Sequence, residues 1–173
     1  MKTILYLDLS ADGLIATTNR LPGLEWEWEG VPWERWCQYC NDSNNLIVGR
    51  NTYSELTESD LSDVLYLDHK VVISSRDMDL ADSWLKFSTP KQAVDYLKSR
   101  DIENIIVGGG RQLGLTFIEE GLIDEIILDV YPILFGNGTG LLGGLDMCIQ
   151  LDLVTSESLG DGAIRNHYKL LQK

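Results

Sequence analysis

Short apolar runs rich in β-branched residues recur along this 173-residue chain, and helix-length segments separate them. Each run predicts a strand, and the runs are residues 3–7, 46–48, 71–74, 105–107 and 123–131. Segments with helical spacing lie between them, at residues 33–40, 52–56, 90–99 and 112–120. Because parallel strands need crossover connections of about this length, the order predicts an α/β domain with a largely parallel central sheet.

The last part of the chain departs from that alternation. Two strand-like runs, residues 149–157 and 163–171, flank the sequence Gly160-Asp161-Gly162, which suits a tight turn between antiparallel strands. The length fits one domain, and no internal repeat or linker divides the chain. We therefore predict a single α/β domain over residues 1–173, with a mixed, mostly parallel eight-stranded sheet, flanking helices and a C-terminal antiparallel hairpin.

The charge balance excludes several classes of partner. The chain carries 27 acidic and 14 basic residues, a formal charge of -13, which argues against binding to nucleic acid or to an anionic membrane. No segment predicts a signal peptide or a membrane span. Three cysteines are too few for a disulfide framework, so we expect a cytoplasmic protein. Cys37 and Cys40 fit structural positions on a helix, and we predict no metal site.

Three predicted strands end in small residues that an arginine follows at once. The three arginines are Arg50, Arg76 and Arg111, and Arg111 follows a triglycine at residues 108–110. The carboxyl ends of parallel strands meet at the ligand crevice of an α/β sheet, where glycine permits close backbone approach and the next helix offers unpaired N–H groups. This pattern predicts an anion site at that edge of the sheet.

Taken together, residues 46–52, 72–76 and 106–111 resemble the three nucleotide-binding segments of the dihydrofolate reductase superfamily, in the same order. Residues 12–16, 121–125 and 131–136 are more similar to the branch that contains the reductase domain of bacterial bifunctional riboflavin-biosynthesis deaminase-reductases. The resemblance extends from the first strand to the final hairpin. It implies a dihydrofolate reductase-like fold and NADPH as the cofactor.

The resemblance also implies which residues bind NADPH. Gly49, Arg50 and Thr52 would meet its phosphates, as would the triglycine with the residues that open the next helix. Ser74, Ser75 and Arg76 would hold the adenosine ribose and its 2'-phosphate, a dianion that suits the planar fork of an arginine. The complete set implied by the resemblance is Ala16, Gly49, Arg50, Thr52, Ser74, Ser75, Arg76, Gly108, Gly109, Gly110, Arg111, Gln112 and Leu113.

Two carboxylates are candidates for supplying or relaying the proton of the reaction. Glu34 follows Pro32-Trp33, in the stretch where dihydrofolate reductases carry an acid after a flexible loop, although acids also favour the solvated first turn of a helix. Asp12 is the second candidate, and a structural role in a turn is its alternative.

Four of the five tryptophans lie in one loop-to-helix passage. Trp26 and Trp28 alternate with glutamates in residues 25–29, and Trp33 and Trp36 follow. These rings could stack on a planar substrate or anchor the loop against the core.

From the resemblance we predict a reductase similar to 5-amino-6-(5-phosphoribosylamino)uracil reductase of riboflavin biosynthesis, acting on a small heterocyclic substrate. The alternatives are a dihydrofolate reductase and an NADPH-binding protein without turnover. We also expect a homodimer, because the apolar run at residues 123–134 and the glycine-rich segment after it could present a strand edge to a second copy.

Overall fold

A computed structural model describes residues 1–17, 30–58, 61–143, 146 and 148–171, and it confirms the α/β fold. The helices are α1 (Gly30–Ser43), α2 (Arg50–Glu58), α3 (Pro90–Lys98) and α4 (Arg111–Glu119), with a short 3-10 helix at Leu61–Val64. The strands are β1 (Lys2–Ser10), β2 (Ala16–Thr17), β3 (Asn45–Gly49), β4 (His69–Ile73), β5 (Trp84–Phe87), β6 (Asn104–Val107), β7 (Glu125–Tyr131), β8 (Gly138–Thr139), β9 (Leu151–Gly160) and β10 (Ala163–Leu170).

The main sheet has eight strands in the order β5-β4-β3-β6-β1-β7-β10-β9. The six strands from β5 to β7 pair in parallel, whereas β10 pairs antiparallel with β7 and with β9. Strands β2 and β8 form a separate two-residue ladder. The predicted mixed sheet of eight strands with an antiparallel end is therefore confirmed.

Two apolar cores cover the two faces of the sheet, because alternate side chains of each strand point to opposite faces. In β1, Ile4 and Tyr6 pack into the core that includes residues of α1 and α2, whereas Leu5 and Leu7 pack into the core that includes residues of α3 and α4. Helix α3 begins at Pro90, as predicted from the sequence, and the hydroxyl of the N-cap residue Thr89 accepts a hydrogen bond from the Gln92 N–H.

The final hairpin turns through three residues in the left-handed region, with φ of 85° at Gly160, 52° at Asp161 and 79° at Gly162. Glycine and aspartate tolerate that conformation better than most residues, which explains why this sequence ends one strand and starts another. The predicted antiparallel hairpin is confirmed.

Strand β5 was not predicted, because its four residues show neither β-branching nor regular alternation. It forms through pairing with β4 at one edge of the sheet, with Trp84 buried against Tyr53. Cys37 and Cys40 lie in the core, where burial raises the pKa of the Cys37 thiol to about 12, as suits structural cysteines. Over the described residues, no helix has the length and apolar character needed to cross a membrane.

Candidate functional site

A cavity of about 450 Å³ lies at the carboxyl ends of β3, β4 and β6. Parallel strands bring these ends to the same edge of the sheet, so segments that are far apart in the sequence meet there. The described residues that line this cavity are Gly49, Arg50, Asn51, Thr52, Ile73, Pro90, Gly110, Arg111, Gln112, Leu113 and Thr116. We call it the groove.

Two helices begin at the wall of the groove. Helix α2 starts at Arg50 directly after β3, and α4 starts at Arg111 after Gly110, whose position as N-cap carries no side-chain hydrogen bond. Helix N-termini present unpaired N–H groups and the positive end of the helix dipole. Because Arg50 and Arg111 are the only charged residues among the described lining residues, the groove is locally positive in a chain of net charge -13. It suits an anionic ligand.

The three glycines of residues 108–110 have different structural roles. A Cβ on Gly108 would come within 2.8 Å of Trp36 and Leu46, and its N–H donates to the Ile47 carbonyl at 3.0 Å, so Gly108 serves the packing and the sheet. A Cβ on Gly109 would lie 3.0 Å from the Leu113 side chain, whereas Gly110 faces open space at the start of α4. The phosphate-approach role predicted for all three fits Gly110 best.

The side chain of Arg111 is hydrogen-bonded to the protein backbone. Its Nε donates to the Gly140 carbonyl at 3.1 Å and its Nη2 to the Gly143 carbonyl at 2.7 Å. It therefore ties the start of α4 to a distant loop while contributing to the groove. Gln112 and Leu113 also line the groove, in the first turn of α4.

The segment after β4 forms a tight turn beside the groove. The hydroxyl of the buried Ser74 accepts from the Arg76 N–H and donates to the Arg76 carbonyl, both at 3.1 Å, so that side chain holds the turn. Ser75 and Arg76 are exposed, and Ile73, the last residue of β4, lines the groove. The Arg76 side chain therefore lies in solvent, three residues after Ile73, and it is not among the described lining residues of the groove.

A second, smaller cavity of about 120 Å³ adjoins the groove and shares Thr52 and Gly110 with it. Its described lining residues are Tyr6, Leu7, Asp8, Trp33, Trp36, Thr52, Gly108, Gly109 and Gly110. Trp33 and Trp36 stack with ring centroids 5.3 Å apart and an angle of 23° between their planes. We call this space the aromatic cavity, and its walls suit a planar ring.

Sequence reasoning missed Tyr6 and Asp8 as site residues. Both lie on β1, which was interpreted only as a core strand, and Asp8 occupies its sheet position opposite Asp129 of β7. The one available signal was an acidic residue inside a largely apolar run, a placement that usually needs a polar partner or a function. Of the tryptophans that were predicted to stack on a substrate or to anchor the loop, Trp36 is buried in the core and also lines the aromatic cavity, a position that is compatible with either role.

The proposed proton donors lie outside both cavities as described. Glu34, on α1, is exposed, and it follows Trp33 of the cavity wall. Asp12 accepts from the Ser10 hydroxyl at 2.6 Å and from the N–H groups of Phe135 at 3.1 Å and Gly136 at 2.7 Å. These hydrogen bonds, the Ser10 bond first, lower the pKa of Asp12 to about 2, so the carboxylate stays ionised and holds the turn.

Ala16 lies in β2, opposite Thr139 of β8, and it is not among the described lining residues of either cavity. Trp26 and Trp28, with the glutamates beside them, lie outside the described residues. Among the residues that are described, no group of three metal-binding side chains is placed together.

Beneath the aromatic cavity, the hydroxyl of Tyr6 donates to Asp129 at 2.6 Å. Arg165 of β10 holds the same carboxylate through Nε and Nη2, each at 2.7 Å, and its Nη2 also donates to the Tyr6 hydroxyl at 2.8 Å. Burial raises the pKa of Tyr6, and the negative charge of Asp8 adds to that effect. The three side chains Tyr6, Asp129 and Arg165, the buried triad, fix one wall of the cavity.

Comparison with known proteins gives a consistent relationship. Residues 2–164 match the model of the RibD C-terminal domain family. The chain is 29% identical over 173 residues to the uncharacterized protein YwjB of Bacillus subtilis, an alignment that covers 96% of this chain and 97% of that protein.

Solved structures show the same fold at lower identity. RibD of Acinetobacter baumannii matches with a TM-score of 0.74 and 18% identity, over 99% of this chain and 58% of that one. A pyrimidine reductase-like protein of Corynebacterium diphtheriae matches with a TM-score of 0.66 and 16% identity, over 99% of this chain and 92% of that one.

Proposed function

We propose that this chain, which belongs to the RibD C-terminal domain family, is an NADPH-dependent reductase of a small heterocyclic substrate. The observation that carries the proposal is the junction of the two cavities, where a positive groove at two helix starts opens into a space walled by aromatic rings. The phosphates of a dinucleotide need a positive site such as the groove, and a planar substrate ring needs a space such as the aromatic cavity.

The groove has the donors that a pyrophosphate requires. The N–H groups in the first turns of α2 and α4 are directed to one space, and Arg50 adds a charge that is exposed to the ligand. NADPH would supply the hydride, and this chain's residues would hold the cofactor, orient the substrate ring against it and exclude water. Thr52 and Gly110 border both cavities, so the nicotinamide end of the cofactor belongs near them.

The activity is tested by NADPH oxidation in the presence of three kinds of substrate. These are 5-amino-6-(5-phosphoribosylamino)uracil, the substrate of the riboflavin-pathway reductase that the chain resembles, then dihydrofolate, and then small carbonyl compounds. Turnover of the first supports the proposed pathway type, and turnover of dihydrofolate alone would replace it with the folate alternative. Tight NADPH binding without oxidation by any of them would indicate a binding protein without turnover.

We predict that the protein prefers NADPH to NADH, because Arg76 lies in the turn after β4, where the family resemblance places the 2'-phosphate. Losing a hydrogen bond to a charged group costs about 1.5 to 3 kcal/mol, so Arg76→Ala should weaken NADPH binding about tenfold to a hundredfold and leave NADH binding unchanged. Fluorescence titration of both cofactors measures this.

The matched control for that titration is Arg100→Ala, which removes an exposed arginine that packs over Tyr96 at the far end of α3. It should bind both cofactors as wild type does. Equal affinity of the wild-type protein for NADH and NADPH would remove the 2'-phosphate assignment from Arg76.

The homodimer remains a prediction, but the structure rules out the strand edge that the sequence suggested as its interface. The run at residues 123–134 contains β7, which lies between β1 and β10 and so presents no free strand edge. The free edges of the sheet are β5 and β9, and β9 exposes Leu153 and Val154 along its ten residues. We propose that a second copy covers β9, since a long edge strand with exposed apolar side chains is otherwise open to unwanted pairing.

Sedimentation velocity at micromolar concentration should give twice the 19.5 kDa chain mass. Leu153→Glu should shift the protein to the monomer, because a charge on a buried interface strand is costly to desolvate. Leu85→Glu, at an exposed leucine of the opposite edge strand β5, serves as the control and should leave the dimer intact. A wild-type protein that sediments only at 19.5 kDa contradicts the prediction.

A further inference from the structure

We infer that Arg111 is a positioning residue that links the groove to residues 138–143, because an anion bound in the groove and two carbonyls of that segment share its one guanidinium group. Binding of the anion orders residues 138–143, and order in that segment favours binding. The inference deepens the proposed function, on which it rests for the identity of the anion as the phosphates of NADPH.

The place of Arg111 on α4 is the first observation. Arg111 is the first residue of the helix, where the positive end of the helix dipole disfavours a cation. The first turn of α4 as described holds no acidic residue that would offset this charge. Arg111 is partly buried and also lines the groove. An anion in the groove would therefore relieve an unfavourable concentration of positive charge at this helix start.

The hydrogen bonds of Arg111 are the second observation. Nε donates to the Gly140 carbonyl at 3.1 Å, and Nη2 donates to the Gly143 carbonyl at 2.7 Å. A guanidinium group has more N–H donors than these two bonds use, and they are spread over three nitrogens in one plane. The same side chain can therefore hold the segment and still donate to a phosphate oxygen.

The composition of residues 138–143 makes the segment depend on contacts from outside it. Three of its six positions are glycine, the residue that loses most conformational freedom when a chain is ordered. Its other contacts are few and local: Leu141 packs against Gly114 of α4, and the Thr139 carbonyl accepts from the Ile15 N–H at 2.7 Å. The two bonds from Arg111 should therefore contribute strongly to the order of this segment.

A shared side chain couples the two events in both directions. When the segment already holds the guanidinium group, the anion binds a side chain that has less freedom left to lose. Conversely, a guanidinium group held by the anion is a better anchor for the segment. Such coupling is reciprocal by thermodynamic necessity and typically changes an affinity about fivefold to 150-fold.

Hydrogen exchange followed by mass spectrometry tests the link in the full chain. Exchange at residues 138–143 is measured without ligand, with saturating NADPH and with saturating inorganic pyrophosphate, which has the anion but no nicotinamide. Both ligands should slow exchange in this segment at least about fivefold. Peptides from β9, an edge strand of the sheet beyond β7 and β10, are the internal reference and should not change.

The variant Arg111→Lys separates the link from the charge. Lysine keeps the cation, but its single nitrogen cannot take the place of three nitrogens on two carbonyls and an anion. It should weaken NADPH binding by up to about tenfold, and saturating NADPH should no longer slow exchange at residues 138–143.

Arg50→Lys is the matched control. Arg50 also lines the groove and is the first residue of its helix, but its side chain is exposed at the start of α2. This variant should also weaken NADPH binding, yet at saturation it should keep the slowed exchange of the wild-type protein.

Each result decides between the inference and the proposed function. NADPH that binds without slowing exchange at residues 138–143 overturns the inference alone. The same holds if bound pyrophosphate leaves exchange unchanged, or if Arg111→Lys keeps the slowed exchange. Pyrophosphate that orders the segment in a protein that does not bind NADPH would uphold the link and remove the reductase proposal. If neither ligand binds, the groove is not an anion site and both fall. If Arg111→Lys does not fold, the pyrophosphate measurement on the wild-type protein decides the question.

Discussion

Replacing Asp129 by asparagine should lower the free energy of unfolding by about 3 to 5 kcal/mol, the cost typical of removing one partner from a buried ion pair. Asp129 is completely buried, and Arg165 holds it with two nitrogens at 2.7 Å while the Tyr6 hydroxyl donates to it at 2.6 Å. An asparagine amide accepts through one oxygen only, so Arg165 would keep its charge in a largely buried place without its countercharge.

Urea unfolding followed by circular dichroism measures this loss. The triple variant Tyr6→Phe with Asp129→Leu and Arg165→Met should recover most of it, because replacing all members of a buried polar group by apolar side chains of similar size is often close to neutral. Asp95→Asn removes an exposed carboxylate that pairs with Lys91, and as a control it should change stability by less than about 1 kcal/mol. A loss below 1 kcal/mol in Asp129→Asn would mean that the triad contributes little to folding.

Replacing Glu34 by glutamine should reduce turnover by about a hundredfold to ten-thousandfold, the range typical of a lost acid-base group. We propose Glu34 as the residue that delivers or relays a proton because it follows Trp33, a wall of the aromatic cavity, on the first turns of α1. Its exposed position requires that the proton pass to the substrate through water or by closure of the mouth of the cavity. Glutamine preserves shape and hydrogen bonding, so NADPH affinity should hardly change.

Steady-state rates as a function of pH, with the substrate that the NADPH oxidation screen identifies, test this role. Asp42→Asn, at an exposed carboxylate near the end of the same helix, is the matched control and should keep the wild-type rate. Normal turnover and an unchanged pH profile in Glu34→Gln would identify Glu34 as a surface residue of the helix. Asp12 would then be a weak substitute, because its three hydrogen bonds hold it ionised.

The sequence by itself determined most of the sheet and the edge at which the groove lies. The periodicity of apolar residues in β1, β3, β4, β6 and β7 is a local property that survives in the fold, so each predicted run became a strand. The small residues before Arg50 and Arg111 likewise determine where α2 and α4 begin, and parallel pairing then brings both helix starts to one groove.

Only the tertiary structure decided what individual side chains do at that edge. The three glycines look alike in the sequence. In the structure, the side chains of Trp36 and Leu46 leave no room for a Cβ on Gly108, whereas Gly110 faces open space. Arg111 was expected on a phosphate, yet it bonds to carbonyls about 30 residues further along the chain. Asp8 entered the site because β1 lies beside β6 and beneath α1, an arrangement that depends on strand order and helix packing. Contacts between residues distant in sequence follow from how the whole chain packs, and local patterns carry no record of them.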